Sequence, residues 1–170
     1  HITLVFPDVR GFPAGGATMP PAMVREMREV FDAPVLSAYG LTEAPILTLS
    51  DLSDTDDELA FTEGKPMPRV ELRFVTAEGD VAEDGKEGEI RVKAPQVMKG
   101  YVDSSLDVEA FDEDGWFRTG DLGHIRPDGH VVLTGRLKDV IIRKGENISA
   151  AEIENLLYAH PKVGDIAVIG

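Results

Sequence analysis

The sequence contains no cysteine, so neither a disulfide nor a thiol nucleophile is available. This is compatible with a reducing cytoplasm, the expected compartment. Basic residues are scarce: 17 Lys and Arg stand against 31 Asp and Glu, for a net charge of −14. A nucleic-acid partner is not expected, because a phosphate backbone needs basic patches. A single nucleotide is still admissible, since its site needs only a few local donors. No apolar run approaches membrane-spanning length. No signal peptide is visible, and His1 reads as a chain cut rather than a natural start. The four histidines (His1, His124, His130 and His160) show no ligand spacing and read as structural.

What is present suffices for one sizeable core: 170 residues, 42% of them hydrophobic. Residues 2–6 read as a short strand and residues 13–18 as a small-residue loop. A helix is expected from Pro20-Pro21, where missing N–H groups cost nothing. Met23, Val24, Met27, Val30 and Phe31 recur at helical spacing and should line its buried face. Pro34 ends it, and residues 35–38 read as a buried strand leading into Tyr39-Gly40-Leu41-Thr42-Glu43-Ala44. That segment falls at a strand's C-terminal end, where ligands bind in α/β folds. Residues 51–58 read as a solvated acidic loop.

From about Gly64 the pattern becomes all-β. Val70, Leu72 and Phe74 alternate with charged residues, as do Ile90 and Val92, the period-two mark of half-buried strands. Residues 105–111 read as a short helix, and Pro127-Asp128-Gly129 as a hairpin turn. The segment reads as a small twisted sheet or barrel. Trp116 and Phe117 read as core. Residues 140–142 are expected as a strand, Ser149 as the N-cap of a helix with Glu152 at N3, and Ile153, Leu156 and Leu157 as its apolar face. Residues 166–169 are expected to begin another strand.

Three stretches carry chemistry. In Tyr39–Ala44, a Thr hydroxyl can hydrogen-bond a phosphate oxygen, a Glu carboxylate can hold Mg²⁺, and a Tyr presents a flat face for a base. In Arg118-Thr119-Gly120-Asp121, an ionised Asp can accept two ribose hydroxyls. The third runs Gly135-Arg136-Leu137-Lys138-Asp139 into Arg143-Lys144-Gly145-Glu146-Asn147. Taken singly, the first is an ordinary turn, the second an Asp fixing a turn, and Lys138 a solvated side chain.

In this order the motifs resemble the carboxylate-activating, adenylate-forming (ANL) superfamily, and within it the acyl-CoA synthetases, fatty-acid ligases among them. The resemblance implies an α/β fold: the end of the large N-terminal domain over 1–137, with an α/β portion at 1–60 and a β-barrel subdomain at 64–135. Lys138 is then the hinge, and 139–170 an incomplete start of the small α+β C-terminal domain. The resemblance assigns Thr42 and Glu43 to catalysis, Glu43 also to the metal. It assigns Gly16, Ala17, Tyr39, Gly40, Thr42, Asp121, Arg136 and Gly145 to ATP or coenzyme A. Thr18 departs from the family, which commonly has proline there. The implied reaction joins a carboxylic acid to coenzyme A with ATP and Mg²⁺, releasing AMP and pyrophosphate. The family's phosphate loop is expected upstream of His1 and its catalytic lysine beyond Gly170, so the implied partner is the rest of the same polypeptide, and the isolated chain is expected to be inactive. Rival readings are an adenylation domain loading a carrier protein, a luciferase-like enzyme, or a non-catalytic fragment that binds nucleotide. Neither the acid nor the oligomeric state can be read.

Overall fold

The computed structural model describes residues 8–17, 19–143, 146–158, 160 and 162–169. The strand expected at 2–6, Thr18 and Gly145 lie outside them.

Two four-stranded sheets carry most of the chain. The first runs in the order β1 (Phe12–Gly15), β2 (Val35–Tyr39), β3 (Thr48–Leu49) and β4 (Lys65–Pro66). Strand β1 corrects the loop expected at 13–18. Pro13 lacks an N–H, but β1 pairs on one side only among the described residues, so no ladder bond is lost there. Strands β1 and β2 are parallel, joined by α1 (Pro21–Phe31), whereas β3 and β4 are antiparallel.

Helix α1 starts after Pro20 and ends where Asp32 turns left-handed, at φ 53°, and donates its N–H to the Arg28 carbonyl. Its Val24 packs with Val35 and Ala60, flanked by Ala14, Met19 and Met27. Val30 departs from the expected face and is 51% exposed. It lies roughly 90° round the helix from the middle of the Val24–Met27–Phe31 stripe.

The acidic segment is a second correction, because its end is helical. Thr55 and Glu58 form a reciprocal capping box that opens α2 (Asp56–Phe61). Three acidic residues in the first turn complement the helix dipole.

The second sheet is antiparallel, in the order β5 (Glu71–Val75), β6 (Gly88–Lys93), β7 (Phe117–Ile125) and β8 (Val131–Arg136). Its register shifts between Glu89 and Arg91 and again between Leu122 and Gly123. The hairpin turn at 127–129 forms as expected, Arg126 and His130 closing it with an N–H···O bond of 2.8 Å. Before β7, a 3₁₀ turn (Ser104–Leu106) runs into the four-residue α3 (Asp107–Ala110).

One core joins the sheets. Tyr39, Ala44 and Leu47 from the first pack with Phe74, Ile90, Val92, Phe117 and Val131 of the second. Backbone bonds stitch the same seam: Glu63 N–H donates to the Val131 carbonyl and Val131 N–H to that of Gly64. Trp116 and Phe117 are both buried.

A 3₁₀ turn (Leu137–Asp139) leads to the antiparallel pair β9 (Val140–Arg143) and β10 (Glu146–Ser149), then to α4 (Ala150–Tyr158). The Ser149 hydroxyl accepts from Glu152 N–H and donates to the Thr134 carbonyl, tying the helix start to β8. Leu156 and Leu157 are exposed rather than facing a core. Residues 166–169 form no strand, since a strand needs a ladder partner and the Val168 N–H instead donates to Glu154 Oε1. No helix among the described residues is long and apolar enough to cross a membrane.

Candidate active site

The first functional segment begins at the C-terminal end of β2. Gly40 must be glycine for steric reasons: a Cβ there would lie 2.4 Å from the Ile46 backbone nitrogen. The chain therefore doubles back tightly, with paired backbone bonds between Leu41 and Ala44 and a left-handed Ile46 at φ 49°. Ala44 and Leu47 anchor the loop in the shared core, leaving Thr42 exposed and Glu43 half-buried. Met98 N–H bonds the Glu43 carbonyl and the Gln96 amide bonds that of Ile46, fixing the loop against the segment after β6.

The second functional segment lies on β7 and β8. Asp121 and Arg136 are direct cross-strand partners, so their side chains project together. Arg136 Nε is 2.9 Å from Asp121 Oδ1. On the other side the Tyr39 hydroxyl donates to Asp121 Oδ2 at 2.8 Å. Burial first, and then the Asp121 charge, push the Tyr39 hydroxyl well above the usual phenol range. It therefore stays a donor. The Asp121 side chain is 6% exposed, whereas that of Arg136 is 53% exposed and free to reorient.

These two segments border one cavity of about 750 Å³, lined by Gly16, Gly40, Leu41, Thr42, Glu43, Thr119, Gly120, Asp121, Arg136, Leu137 and Lys138. The structure thus brings together Gly16, Gly40, Thr42, Glu43, Asp121, Arg136 and Lys138. Ala17 and Tyr39 are not among the lining residues, and Tyr39 is buried beneath Asp121. Sequence reasoning missed Tyr101, whose hydroxyl donates to Glu43 Oε1 at 3.0 Å. Nothing in the sequence pointed to it, because the two residues are 58 positions apart. Burial, then the bond to Glu43, raise its hydroxyl pKa, so Tyr101 also remains a donor. Thr119 and Gly120 were visible as neighbours of Asp121, though without a role; Thr119 fixes the strand by donating to the Ile90 carbonyl.

A cavity rimmed by a half-buried carboxylate, an exposed hydroxyl, a buried carboxylate and two cations suits a ligand carrying both phosphate and hydroxyl groups. The comparisons agree with that class. The chain matches the family described as AMP-binding enzyme over residues 4–102, more than half its length, and it belongs to that family. Salicyl-AMP ligase / salicyl-S-ArCP synthetase of Mycobacterium tuberculosis is 37% identical over 96% of this chain and 29% of its own length. The medium-chain fatty-acid–CoA ligase of Escherichia coli is 37% identical over 95% of this chain and 28% of its own. Among solved structures, o-succinylbenzoate CoA synthetase of Bacillus subtilis, in complex with its acyl-adenylate intermediate, superposes with a TM-score of 0.84. It shares 34% identity and is covered over 36% of its length by 99% of this chain. The fold is that of the adenylate-forming ANL superfamily, and the relatives are AMP-forming acyl- or aryl-CoA ligases and adenylation enzymes. The chain spans about 30% of the length of the curated relatives it matches.

Proposed function

We propose that the whole enzyme activates a carboxylic acid with ATP and transfers the acyl group to coenzyme A. The observation that supports this is the single cavity to which residues 16, 40–43, 119–121 and 136–138 converge from four separate stretches of chain. In the first half-reaction a carboxylate oxygen bonds to the α-phosphorus of ATP, the bond to the β-phosphate breaks, and pyrophosphate leaves. In the second, the CoA sulfur bonds to the acyl carbon, AMP departs with the bonding electrons, and the thiol proton passes to solvent.

The residues divide this work. Asp121, held by Tyr39 and Arg136, still has unused lone pairs for the ribose hydroxyls. The exposed Arg136 can turn to a phosphate or ribose oxygen. Thr42 donates to the α-phosphate, where charge builds up in the transition state. Gly16, at φ 87° with nothing within 4 Å of its Cβ direction, lets the backbone approach the base. Tyr39 supports Asp121 from below through its hydroxyl. The Glu43 carboxylate is a hard oxygen donor at the cavity rim and fits Mg²⁺, which would neutralise charge on the phosphates. Lys138 acts as hinge between 1–137 and 139–170. We assign the enzyme to the cytoplasm because it draws on ATP and coenzyme A and the chain has no cysteine.

The test is direct. Incubated with ATP, Mg²⁺, coenzyme A and a panel of short, medium, long, cyclic and aromatic acids, the full-length enzyme should release AMP and form a CoA thioester with at least one acid. The carrier-loading reading has one observation behind it, the relative named for transfer to ArCP. It prevails if acyl-adenylate accumulates and no acid yields a CoA thioester.

A further inference from the structure

We propose that Asp54, Glu58 and His130 form a binding site for a divalent transition-metal cation, zinc being the ion that fits, outside the nucleotide cavity. The cation would staple α2 to the β7–β8 hairpin. The sequence hides this group, because residues 54 and 58 precede α2 or open it, whereas His130 follows the hairpin turn more than seventy positions later.

His130 is fully buried immediately before β8. Its Nδ1 lies 3.0 Å from Asp128 Oδ1, which also accepts the His130 backbone N–H. A carboxylate beside Nδ1 selects the tautomer with the proton there and leaves a lone pair on Nε2. A carboxylate orienting the far nitrogen is also the usual support behind a metal-bound imidazole. Nε2 itself is buried and has no hydrogen-bond partner. It faces Asp54 Oδ1 at 3.3 Å without forming a hydrogen bond to it. That span is about the edge of a tetrahedron around zinc with bonds of roughly 2.0–2.2 Å.

The carboxylates are presented for the same purpose. Asp54 Oδ2 is engaged by the Asp51 N–H, which leaves Oδ1 toward the ring. Glu58 Oε2 is engaged by Thr55, and Oε1 lies 3.7 Å from Nδ1, so it reaches an ion at Nε2 only by rotating past the ring edge. One ligand atom from each of the three residues falls within 4.8 Å of the others, a distance that side-chain rotations close onto one ion. Asp54 has a side chain only 9% exposed, so its charge is poorly hydrated. Arg126 lies on Asp57 and Asp128, not on Asp54 or Glu58. A dication would therefore neutralise two carboxylates that no arginine or lysine among the described residues pairs with. None of the three residues lines the nucleotide cavity.

The test uses the full-length enzyme, stripped with a chelator and dialysed, without nucleotide. Titration with zinc chloride in a calorimeter should show one equivalent bound per chain and raise Tm. Cobalt(II) should give the visible absorption of a tetrahedral N/O site. His130→Gln and Asp54→Asn should each weaken zinc binding by more than about a hundredfold, since outer-shell changes alone cost 10–100-fold. Glu43→Gln should leave it unchanged, which separates this site from the magnesium site. If His130→Gln does not fold, Asp54→Asn and the cobalt spectrum of the wild type decide. Absence of zinc uptake by the wild type, or equal uptake by Asp54→Asn, overturns the proposal. So does a wild type that takes no zinc but loses Tm as pH rises through the imidazole range, an effect His130→Gln abolishes; the cluster would then hold a proton.

Discussion

Single side chains decide whether the cavity handles a nucleotide, and Asp121 is the most exposed to test. Both its oxygens already have partners, Tyr39 and Arg136, so substitution acts on the fold as well as on the ligand. Asp121→Asn in the full-length enzyme should weaken ATP by about 2–4 kcal/mol, as charge-assisted bonds to ribose are lost. It should also lower Tm, because the buried Tyr39 hydroxyl loses its anionic acceptor. Calorimetric titration with ATP measures the first effect and a melt the second; a lower Tm with unchanged affinity removes Asp121 from the ribose site. Glu43 behaves differently. Glu43→Gln keeps the backbone bond from Met98 and an acceptor for Tyr101. It should cut the adenylation kcat by roughly 10²–10³ while ATP affinity stays near normal, because fixed charge acts chiefly on the transition state. A raised KM with normal kcat, read by pyrophosphate release, would reduce Glu43 to a binding role.

At the scale of elements, the turn from Asp112 to Trp116 shows how a charge holds a strand entry. Asp112 Oδ1 accepts from the N–H groups of Asp114 and Trp116, and Oδ2 pairs with Arg91 at 3.0 Å. Burial acts against the anion, but the Trp116 N–H and Arg91 outweigh it, so the carboxyl lies below its ordinary value of 3.8. A depressed folded-state pKa contributes stability above the unfolded value, and this is lost as pH falls through the folded one. Asp112→Asn should therefore cost about 1–3 kcal/mol at pH 7, and the difference from wild type should shrink below pH 3.8. Urea unfolding at several pH values checks this; a gap that does not change with pH would assign the cost to packing. Much at this scale was legible. Alternation fixed β5 and β6, and the Pro-Asp-Gly turn fixed the β7–β8 hairpin. Helix α2 was equally legible from Thr55 and Glu58 but was masked by the acidity around them. Strand β1 was hidden because Pro13 argues against a strand unless its neighbours on the sheet are known. Of the cavity, the residues contiguous in sequence motifs were found. Tyr101 and the burial of Tyr39 depend on contacts across 58 and 82 positions, which no local pattern encodes.

At the scale of the whole molecule, Leu137–Asp139 is an exposed 3₁₀ turn between β8 and β9, where we propose the two domains meet. If Lys138 is the pivot, Lys138→Pro should separate the half-reactions, because proline fixes φ near −65° and also restricts Leu137. Because Lys138 lines the cavity, Lys138→Ala is the control that removes the side chain and keeps the backbone free. The proline variant should lose one half-reaction, thioester formation, by orders of magnitude while adenylation and ATP binding survive; the alanine variant should retain both. Single-turnover acyl-AMP formation and the addition of coenzyme A to preformed acyl-AMP read the two steps separately. Equal losses in the proline variant would indicate misfolding, and no loss a plain surface residue.

Tyr39 is rooted in the first sheet, Asp121 and Arg136 in the second, and the Asp121 carboxylate ties the other two together. If Asp121 holds the ribose, as proposed, reciprocity follows: whatever tightens the joint between the sheets tightens the grip on ribose, and a bound nucleotide braces the joint by the same free energy. At a hundred times its dissociation constant, a ligand adds about 2.7 kcal/mol to the state that binds it. For this protein that increment falls on the seam, so an occupied site makes two sheets from separate stretches of chain open and close as one cooperative unit.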